Sequence, residues 1–462
     1  MVVEEDIGTG RTGGREATTG VIPGRIALSV GCPDLPPPKG WAWTPLSSIA
    51  QLESGHTPSR KHPEYWDGGV PWIGIKDATE NHGRILADTN QHVSELGLEN
   101  SSARLLPANT VCLSRTASVG FVVVMGRPMA TSQDFVNWIC GPKIEPHYLK
   151  YVLLAENEAL WRFASGTTHQ TIYYPEAKAF HVCLPPLAEQ KAIAAVLGAL
   201  DDKIELNRRM NATLEAMARA LFQSWFVDFD PVRAKLDGRK PLGLDKATAA
   251  FFPAAFQDST LGQIPQGWET GSILRQADLL SGGTPKTDVP TYWNGGVPWA
   301  SAKDVSQCGE AFLVSTERTI TKLGVEESST KIIPAFATVV VARGATTGRL
   351  TMFGHAMAMN QTCYGLRSKV GAPFALNCNV RHFIDRLVQG GHGSIFDTIT
   401  TSTFEATDVL LAPKEVLLAF NKRVAPLFQQ VHANLQQSLT LATLRDTLLP
   451  KLLSGEVQIS TE

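Results

Sequence analysis

The sequence predicts an α+β protein: two tandem, similar α+β domains, each followed by a long α-helix, with the two helices pairing as an antiparallel coiled-coil spacer. Three observations carry that expectation. One segment occurs twice, β-type runs mix with helical stretches inside each copy, and each copy is followed by a matched heptad seam.

The blocks Ser54–Pro58 (SGHTP), Tyr65–Trp72 (YWDGGVPW) and Lys76-Asp77 return as Ser281–Pro285 (SGGTP), Tyr292–Trp299 (YWNGGVPW) and Lys303-Asp304, each 227 residues later. Upstream, Pro38–Trp41 matches Pro265–Trp268 at the same spacing. Downstream the spacing slips to 228, where Met129, Ala130 and Gln133 match Met357, Ala358 and Gln361. It is back at 227 where Thr171, Ile172 and Pro186 meet Thr398, Ile399 and Pro413. So small a slip over such a length marks a duplicated ancestral unit. Two similar halves make two similar surfaces, suited to a partner with two sites or to a pair of like partners.

Composition narrows the class. The 462 residues are apolar enough to build cores, and no apolar run is long enough to cross a bilayer. The acidic start Met1–Asp6 has no apolar h-region, so no signal peptide is visible. Seven cysteines, widely spaced and without CxxC, argue against a disulfide framework or a structural zinc site and for a reduced cytoplasmic compartment. A net charge of −2 gives no bulk signal for nucleic acid, so any DNA-binding face would have to come from uneven placement of Lys and Arg.

Residues 1–36 are Gly- and Thr-rich, lack apolar periodicity, and read as a flexible tail. The GxGxxG match Gly8–Gly13 within them is not a dinucleotide loop, because no strand precedes it and no acidic ribose partner follows. The first domain spans 37–186 and the second 263–413. Each mixes short β runs (Val119–Val124, Thr338–Val341) with Gly/Pro turns and helical stretches such as 148–163.

The helical segments, 187–227 and 414–456, differ in kind. In the first, small or apolar residues step by four and three: Ile193, Leu197, Leu200, Ile204, Asn207, Asn211, Leu214, Ala218, Leu221, Trp225. In the second the positions are Phe420, Val424, Leu427, Val431, Asn434, Ser438, Leu441, Arg445, Leu448, Leu452. Each seam suits a helix about 60 Å long. Both turn polar near the middle, where a polar layer costs stability but fixes register and partner number. Asp201-Asp202 read as a solvated pair on this helix. Paired antiparallel, the helices form a rod with the halves at opposite ends; the alternative packs each helix on its own domain. Between the halves, 228–262 is a linker whose Pro and Gly end the first helix and whose aromatics pin it to the helices.

Several of these residues resemble a known family. Leu184–Ile193 (LPPLAEQKAI) is similar to the start of the conserved helix in type I restriction-modification specificity subunits, and Phe226–Lys235 (FVDFDPVRAK) to its end. Leu449–Glu456 (LPKLLSGE) and the paired SGxTP…YWxGGVPW blocks resemble the same family, and the likeness covers about 38–457. The first 36 residues fall outside it, and Ala412–Val416 (APKEV) departs from the Pro-Leu-x-Glu-Gln opening at the second helix. The resemblance implies two target-recognition domains, each reading half of a bipartite gapped DNA site. It implies helices that set the gap and dock two modification subunits, which methylate adenine N6 with S-adenosylmethionine. Restriction subunits that use ATP and Mg2+ join the same complex. No cofactor and no chemistry are expected in this chain.

The residues agree. No Asn/Asp-Pro-Pro-aromatic box is present, since Asp228–Pro231 lacks the second proline and the aromatic in place. No phosphate loop is present, since Gly282–Thr287 lacks the spacing. The expected DNA contacts are Arg60, Lys61, Lys76, Arg115 and Gln133 in the first domain, and Lys286, Lys303, Arg343 and Gln361 in the second. Those shared by both halves, with Arg115 aligned to Arg343 at the 228 spacing, suit phosphate contact or loop support. Base selection belongs where the halves differ, as at 59–63 against 286–290. The Trp66/Trp293 and Trp72/Trp299 pairs read as core and turn anchors. Two other readings stand beside this one: the recognition half of a solitary modification enzyme, and a degenerate scaffold that binds modification subunits without reading DNA.

Overall fold

The computed structural model describes residues 20–116, 118–166, 170–390 and 398–459. The Gly8–Gly13 pattern and the first part of the expected tail lie outside them. Two compact units result, and they are not the sequential blocks that the repeat suggests. The first unit takes the chain through Asp202 and adds the residues from Leu441 onward; the second comprises Lys203–Thr440.

Each unit is built on the same five-stranded sheet. In the first, the order is Ala50–Ser54, Phe135–Cys140, Val111–Ser114, Val122–Met125, Ile85–Leu86; in the second, Ala277–Ser281, Cys363–Ser368, Thr338–Val341, Leu350–Phe353, Phe312–Leu313. The two short edge strands pair parallel and the rest antiparallel. The central strands are Val-rich and buried on both faces, which is why they read as unbroken apolar runs rather than as an alternation. Val111 faces Val124 and Thr338 faces Met352, so the 227 spacing becomes 228 between these strands. The extra residue sits in the hairpin loop, where an insertion disturbs no ladder.

A smaller sheet in each unit carries the YWxGGVPW block. Strand Trp66–Ile73 has both Trp66 and Val70 opposite Val93; Trp293–Ala300 has both Trp293 and Val297 opposite Ile320. This bulge needs a left-handed residue, and Asp67 and Asn294, at the variable position of the block, have φ of 57° and 60°. The next glycine is required by close approach. A Cβ on Gly68 would stand 2.3 Å from Ser94 Cα, and one on Gly295 2.6 Å from the Ile320 oxygen.

The two long helices, Leu187–Phe222 and Lys414–Leu453, pair antiparallel within each unit. In the first unit Ile193 and Leu197 share a core with Leu452 and Leu453, bordered by Leu448. In the second, Phe420, Val424 and Val431 are buried, with Leu214, Leu221 and Leu427 packed beside them. Leu200, Ile204 and Leu441 are half-buried. The polar layer forms as a network. Asn207 Nδ2 donates to Gln437 Oε1 at 2.9 Å and Ser438 Oγ at 3.2 Å, and Asn434 Nδ2 donates to Asn211 Oδ1 at 2.8 Å. Asn207 Oδ1 and Asn211 Nδ2 are buried without a described partner, so the layer costs stability while favouring one register.

The first long helix ends in a π-type turn, Gln223–Val227, followed by Phe229 at φ 56°. A bulky residue is held in that conformation because its ring is buried 6.1 Å from Trp268 and 5.9 Å from Phe256. The linker aromatics do pack here: Phe252 meets Trp225 at 5.1 Å. The expected linker is otherwise structured, with helices Asp230–Leu236 and Lys246–Ala250. Its boundary with the second domain falls inside the hairpin Phe256–Ser259/Gly262–Pro265.

Two expectations are corrected. Residues 20–36 are not a flexible tail. Strands Ile22–Pro23 and Leu28–Val30 extend the sheet through Phe180–Leu184 to Ala42–Pro45, and Ala27, Leu28 and Val30 are buried. Buried Glu156 holds this segment, accepting the backbone N–H groups of Arg25, Ile26, Ala27 and Leu28 at 2.5, 2.5, 2.7 and 3.3 Å. Its sequence partner lies more than a hundred residues away, beyond the reach of local periodicity. Asp201, in turn, is not solvated. It accepts from Lys150 Nζ at 3.0 Å, Tyr151 Oη at 2.6 Å and Arg445 Nη1 at 2.8 Å. Burial alone would raise its pKa, but these three partners together hold it below the ordinary carboxylate value.

Glu156→Ala should strand four backbone donors and lower the unfolding free energy by about 2–4 kcal/mol, read as a lowered urea midpoint. Asp201→Asn should cost about 2–3 kcal/mol at pH 7 by leaving two cations underpaired. Because the folded carboxyl has a depressed pKa, its contribution is present above the unfolded value of about 3.9 and lost as pH falls through the folded one. The variant's stability curve should therefore be flatter than the parent's below about pH 4.

Candidate nucleic-acid interface

The repeated blocks converge on one constellation in each unit. Gly55 lets the SGHTP turn lie against the residues around Ser132; a Cβ there would stand 2.1 Å from the Ser132 oxygen, and one on Gly282 2.3 Å from the Asn360 oxygen. That approach brings Thr57 Oγ1 to donate to Gln133 Oε1, and Thr284 Oγ1 to Gln361 Oε1, both at 2.5 Å. Both glutamines are exposed, and the hydrogen bond occupies their oxygens while their Nε2 donors are unused by the described residues. Trp72 Nε1 donates to the His56 oxygen and Trp299 Nε1 to the Gly283 oxygen, each at 3.0 Å, so the tryptophan of the strand anchors the turn.

Over each tryptophan pair lies a guanidinium, supplied from a different place. In the first unit Arg60 stands 3.4 Å from the Trp66 ring centroid, with Nη2 donating to Gln91 Oε1 at 2.8 Å. In the second, Thr287 holds the position of Arg60, and the position of Gln91 is Arg318, which stands 3.5 Å from the Trp293 centroid. The rings cross edge to face at 84° in both units. The tryptophans are thus anchors, as expected, and also platforms that fix a cation at an exposed surface.

Arg318 was missed by the sequence reasoning. The one available signal was the exchange itself: position 60 loses its arginine in the second copy while position 91 gains one. Arg115 Nε donates to the Gln133 carbonyl at 3.1 Å, and its guanidinium lies 5.1 Å from the Tyr174 ring, so it joins the constellation. Arg343 is not its equivalent. Arg115 N donates to the Asp134 oxygen as Ala342 N donates to that of Thr362, and the bridges Thr116–Thr171 and Arg343–Thr398 correspond. Arg343 therefore matches Thr116, because the slip to 228 comes after these residues. It is exposed beside the glycine turn at 344.

The remaining candidates divide by contact. Lys61 and Lys286 extend into solvent on the turns. Lys76 pairs with Glu80 at 3.8 Å and Lys303 with Glu317 at 2.6 Å, both exposed. Beside them, the shared aspartates explain the Lys-Asp motif. Asp77 caps its helix by accepting from Gly74 N at 2.9 Å and ties the next segment by accepting from Asn90 N at 2.8 Å; Asp304 does the same with Ser301 N and Glu317 N at 2.8 and 2.9 Å.

Comparison with known proteins returns the sequential repeat rather than the two compact units. The model of the type I restriction modification DNA specificity domain matches residues 38–216 and again 265–443. Among curated relatives, the chain is 25% identical over 436 residues to the type I restriction enzyme MjaIX specificity subunit of Methanocaldococcus jannaschii, covering 91% of this chain and 94% of that one. It is 28% identical over 396 residues to the HindI specificity subunit of Haemophilus influenzae, covering 72% and 84%. The fold is similar to the crystal structure of a type I restriction-modification S subunit from M. genitalium, with a TM-score of 0.56 at 13% identity over 91% of this chain and 98% of that one. Among the described residues no helix is long and apolar enough to cross a membrane.

Arg60→Ala or Arg318→Ala should cost about 0.5–1 kcal/mol and red-shift tryptophan emission as the ring face is uncovered. Adding Thr287→Arg to Arg318→Gln should recover the parent emission. An unrecovered spectrum would mean that the two arginine positions are not interchangeable.

Proposed function

This chain belongs to the type I restriction-modification DNA specificity family, and from that premise we propose that it reads DNA and leaves the chemistry to other subunits. Each unit binds one half of a bipartite, gapped site. The two long helices set the gap and dock two modification subunits, which would bring S-adenosylmethionine for adenine N6 methylation, and through that complex the ATP- and Mg2+-dependent restriction subunits.

The observation that carries this reading is a common frame bearing exchanged polar groups. The glycine turn, the Thr–Gln clasp and the crossed tryptophans recur in both units, while Arg60 with Gln91 in one stands against Thr287 with Arg318 in the other. A frame held constant suits contacts to phosphates, which are alike at every site; the exchanged groups suit base edges, which differ. Arg can span the O6 and N7 of guanine, and Gln the N6 and N7 of adenine. The guanidiniums and the Nε2 groups of Gln133 and Gln361 are donors at an exposed surface, matched to a polyanion rich in acceptors. Lys76 and Lys303, each beside a glutamate, serve better as phosphate contacts that exchange partners than as readers of bases.

Co-expression with a modification subunit of the same system in a methylation-free host, followed by genome-wide mapping of N6-methyladenine, tests the reading. A single two-part motif with a fixed gap is expected; an assembled complex that leaves the genome unmethylated would favour the non-reading scaffold. Arg60→Glu with Arg318→Glu should weaken binding to the cognate site at least about tenfold and relax selectivity at the bases the two arginines face. Unchanged affinity and unchanged base selectivity would remove both arginines from the interface.

A further inference from the structure

The duplication supplies an internal template: a place filled in one unit and open in the other is a seat whose occupant can be read from the filled copy. In the first unit strand Leu28–Val30 lies along the outer edge of Phe180–Leu184, with Leu28 opposite Val182 and Val30 opposite Phe180. Cys183 N donates to the Ala27 oxygen at 2.9 Å, and the Ala179 oxygen accepts from Gly31 N at 2.8 Å. Glu156 clasps the turn before the strand, and Arg25 pairs with Glu158 at 3.4 Å.

In the second unit Asp408–Leu411 pairs with Glu269–Ser272 in the matching register, but among the described residues no strand lies on its other edge. Leu410 stands in the position of Cys183, Phe383 in that of Glu156, and Asp385 in that of Glu158. A cavity of about 330 Å³ opens there, lined by Val409 and Leu410 of the strand, Phe383 and Arg386 of helix Pro373–Gly390, Phe229 of the linker and Ile264 of the hairpin strand Gly262–Pro265. Asp385 is exposed and pairs with no described cation.

The geometry points to a strand-addition site: the second unit accepts an extended segment of a partner polypeptide along the free edge of Asp408–Leu411. An uncovered edge presents unpaired backbone groups to such a segment, and main-chain hydrogen bonds supply the affinity. The chemistry of the segment follows from what replaces what. Phe383 and its apolar neighbours take the place of the carboxylate clasp, so the seat rewards apolar side chains, as Ala27, Leu28 and Val30 provide in the first unit. Asp385, in the place of Glu158, calls for a basic residue just before them, as Arg25 is. The free backbone edge and the largely apolar lining, with Asp385 beside it, favour an extended polypeptide over a nucleic acid, although Arg386 also lines the cavity. The site stands apart from the DNA-reading constellation and does not depend on it.

The chain's own strand is the probe. A fluorescent peptide of the sequence of residues 24–31 (GRIALSVG) is titrated onto the full-length protein, with amide hydrogen exchange measured with and without it. Saturable one-site binding is expected, with exchange at Leu410 slowed at least about tenfold and Cys183 unchanged. Asp385→Lys, a surface change that leaves folding intact, should weaken binding several-fold. The proposal is overturned if the peptide does not bind, if a scrambled peptide binds equally, or if Leu410 exchanges as slowly as Cys183 before any peptide is added. That last result would mean that the chain already covers this edge.

Discussion

Everything in this structure depends on the pairing of the two long helices, because neither compact unit is closed by its own half of the sequence. The first unit buries Ile193 and Leu197 against Leu452 and Leu453, from the far end of the chain. The second buries Ala218, Phe222 and Trp225, from the helix that follows the first domain, against Phe420 and Val424. A helix of this length is marginal alone, and its apolar face is stabilised only by a partner. Register then becomes decisive. A slip of one turn would bring Asn207 against an apolar residue, so the Asn207–Asn434–Asn211 network penalises every register but one.

The two halves solve the same packing problem with opposite chemistry. In the first, Lys150, Tyr151, Asp201 and Arg445 form a paired ionic cluster where the domain meets the helices. The equivalent positions in the second are Asn377, Cys378, Phe428 and Ala218, and Phe428 stacks on Phe374 with centroids 4.9 Å apart. In the second unit the charges come from other positions: Glu215, Arg219 and Arg381 line one cavity with Ala218, Asn377, Cys378 and Phe428. Exchanges of this kind leave the repeat faint across the helices, while it stays clear in the glycine turns.

The turns are clear because their constraints are steric and local. Gly55, Gly68, Gly282 and Gly295 are held by backbone approaches that no side chain survives, while Asp67 and Asn294 meet a left-handed requirement that few residues tolerate. The tryptophans anchor those turns through their indole N–H groups. What remains free to vary is the polar group resting on the frame, and Arg60 and Arg318 show one function reached from two positions.

The sequence by itself determined the duplication, the α+β class, the two heptad seams with their polar middle and the family, because each rests on short-range spacing or on repeated motifs. It also brought Arg60, Arg115, Gln133 and Gln361 to notice, since those residues sit in or beside the repeated blocks. Tertiary structure alone decided which residues close each unit, that Glu156 fastens a segment that reads as a tail, and that Asp201 is an ion-pair centre rather than a solvated acid. It alone separated Arg343 from Arg115 and brought Arg318 onto Trp293. These contacts join residues far apart in the chain, and no local period encodes which distant groups a fold will bring within a few ångströms.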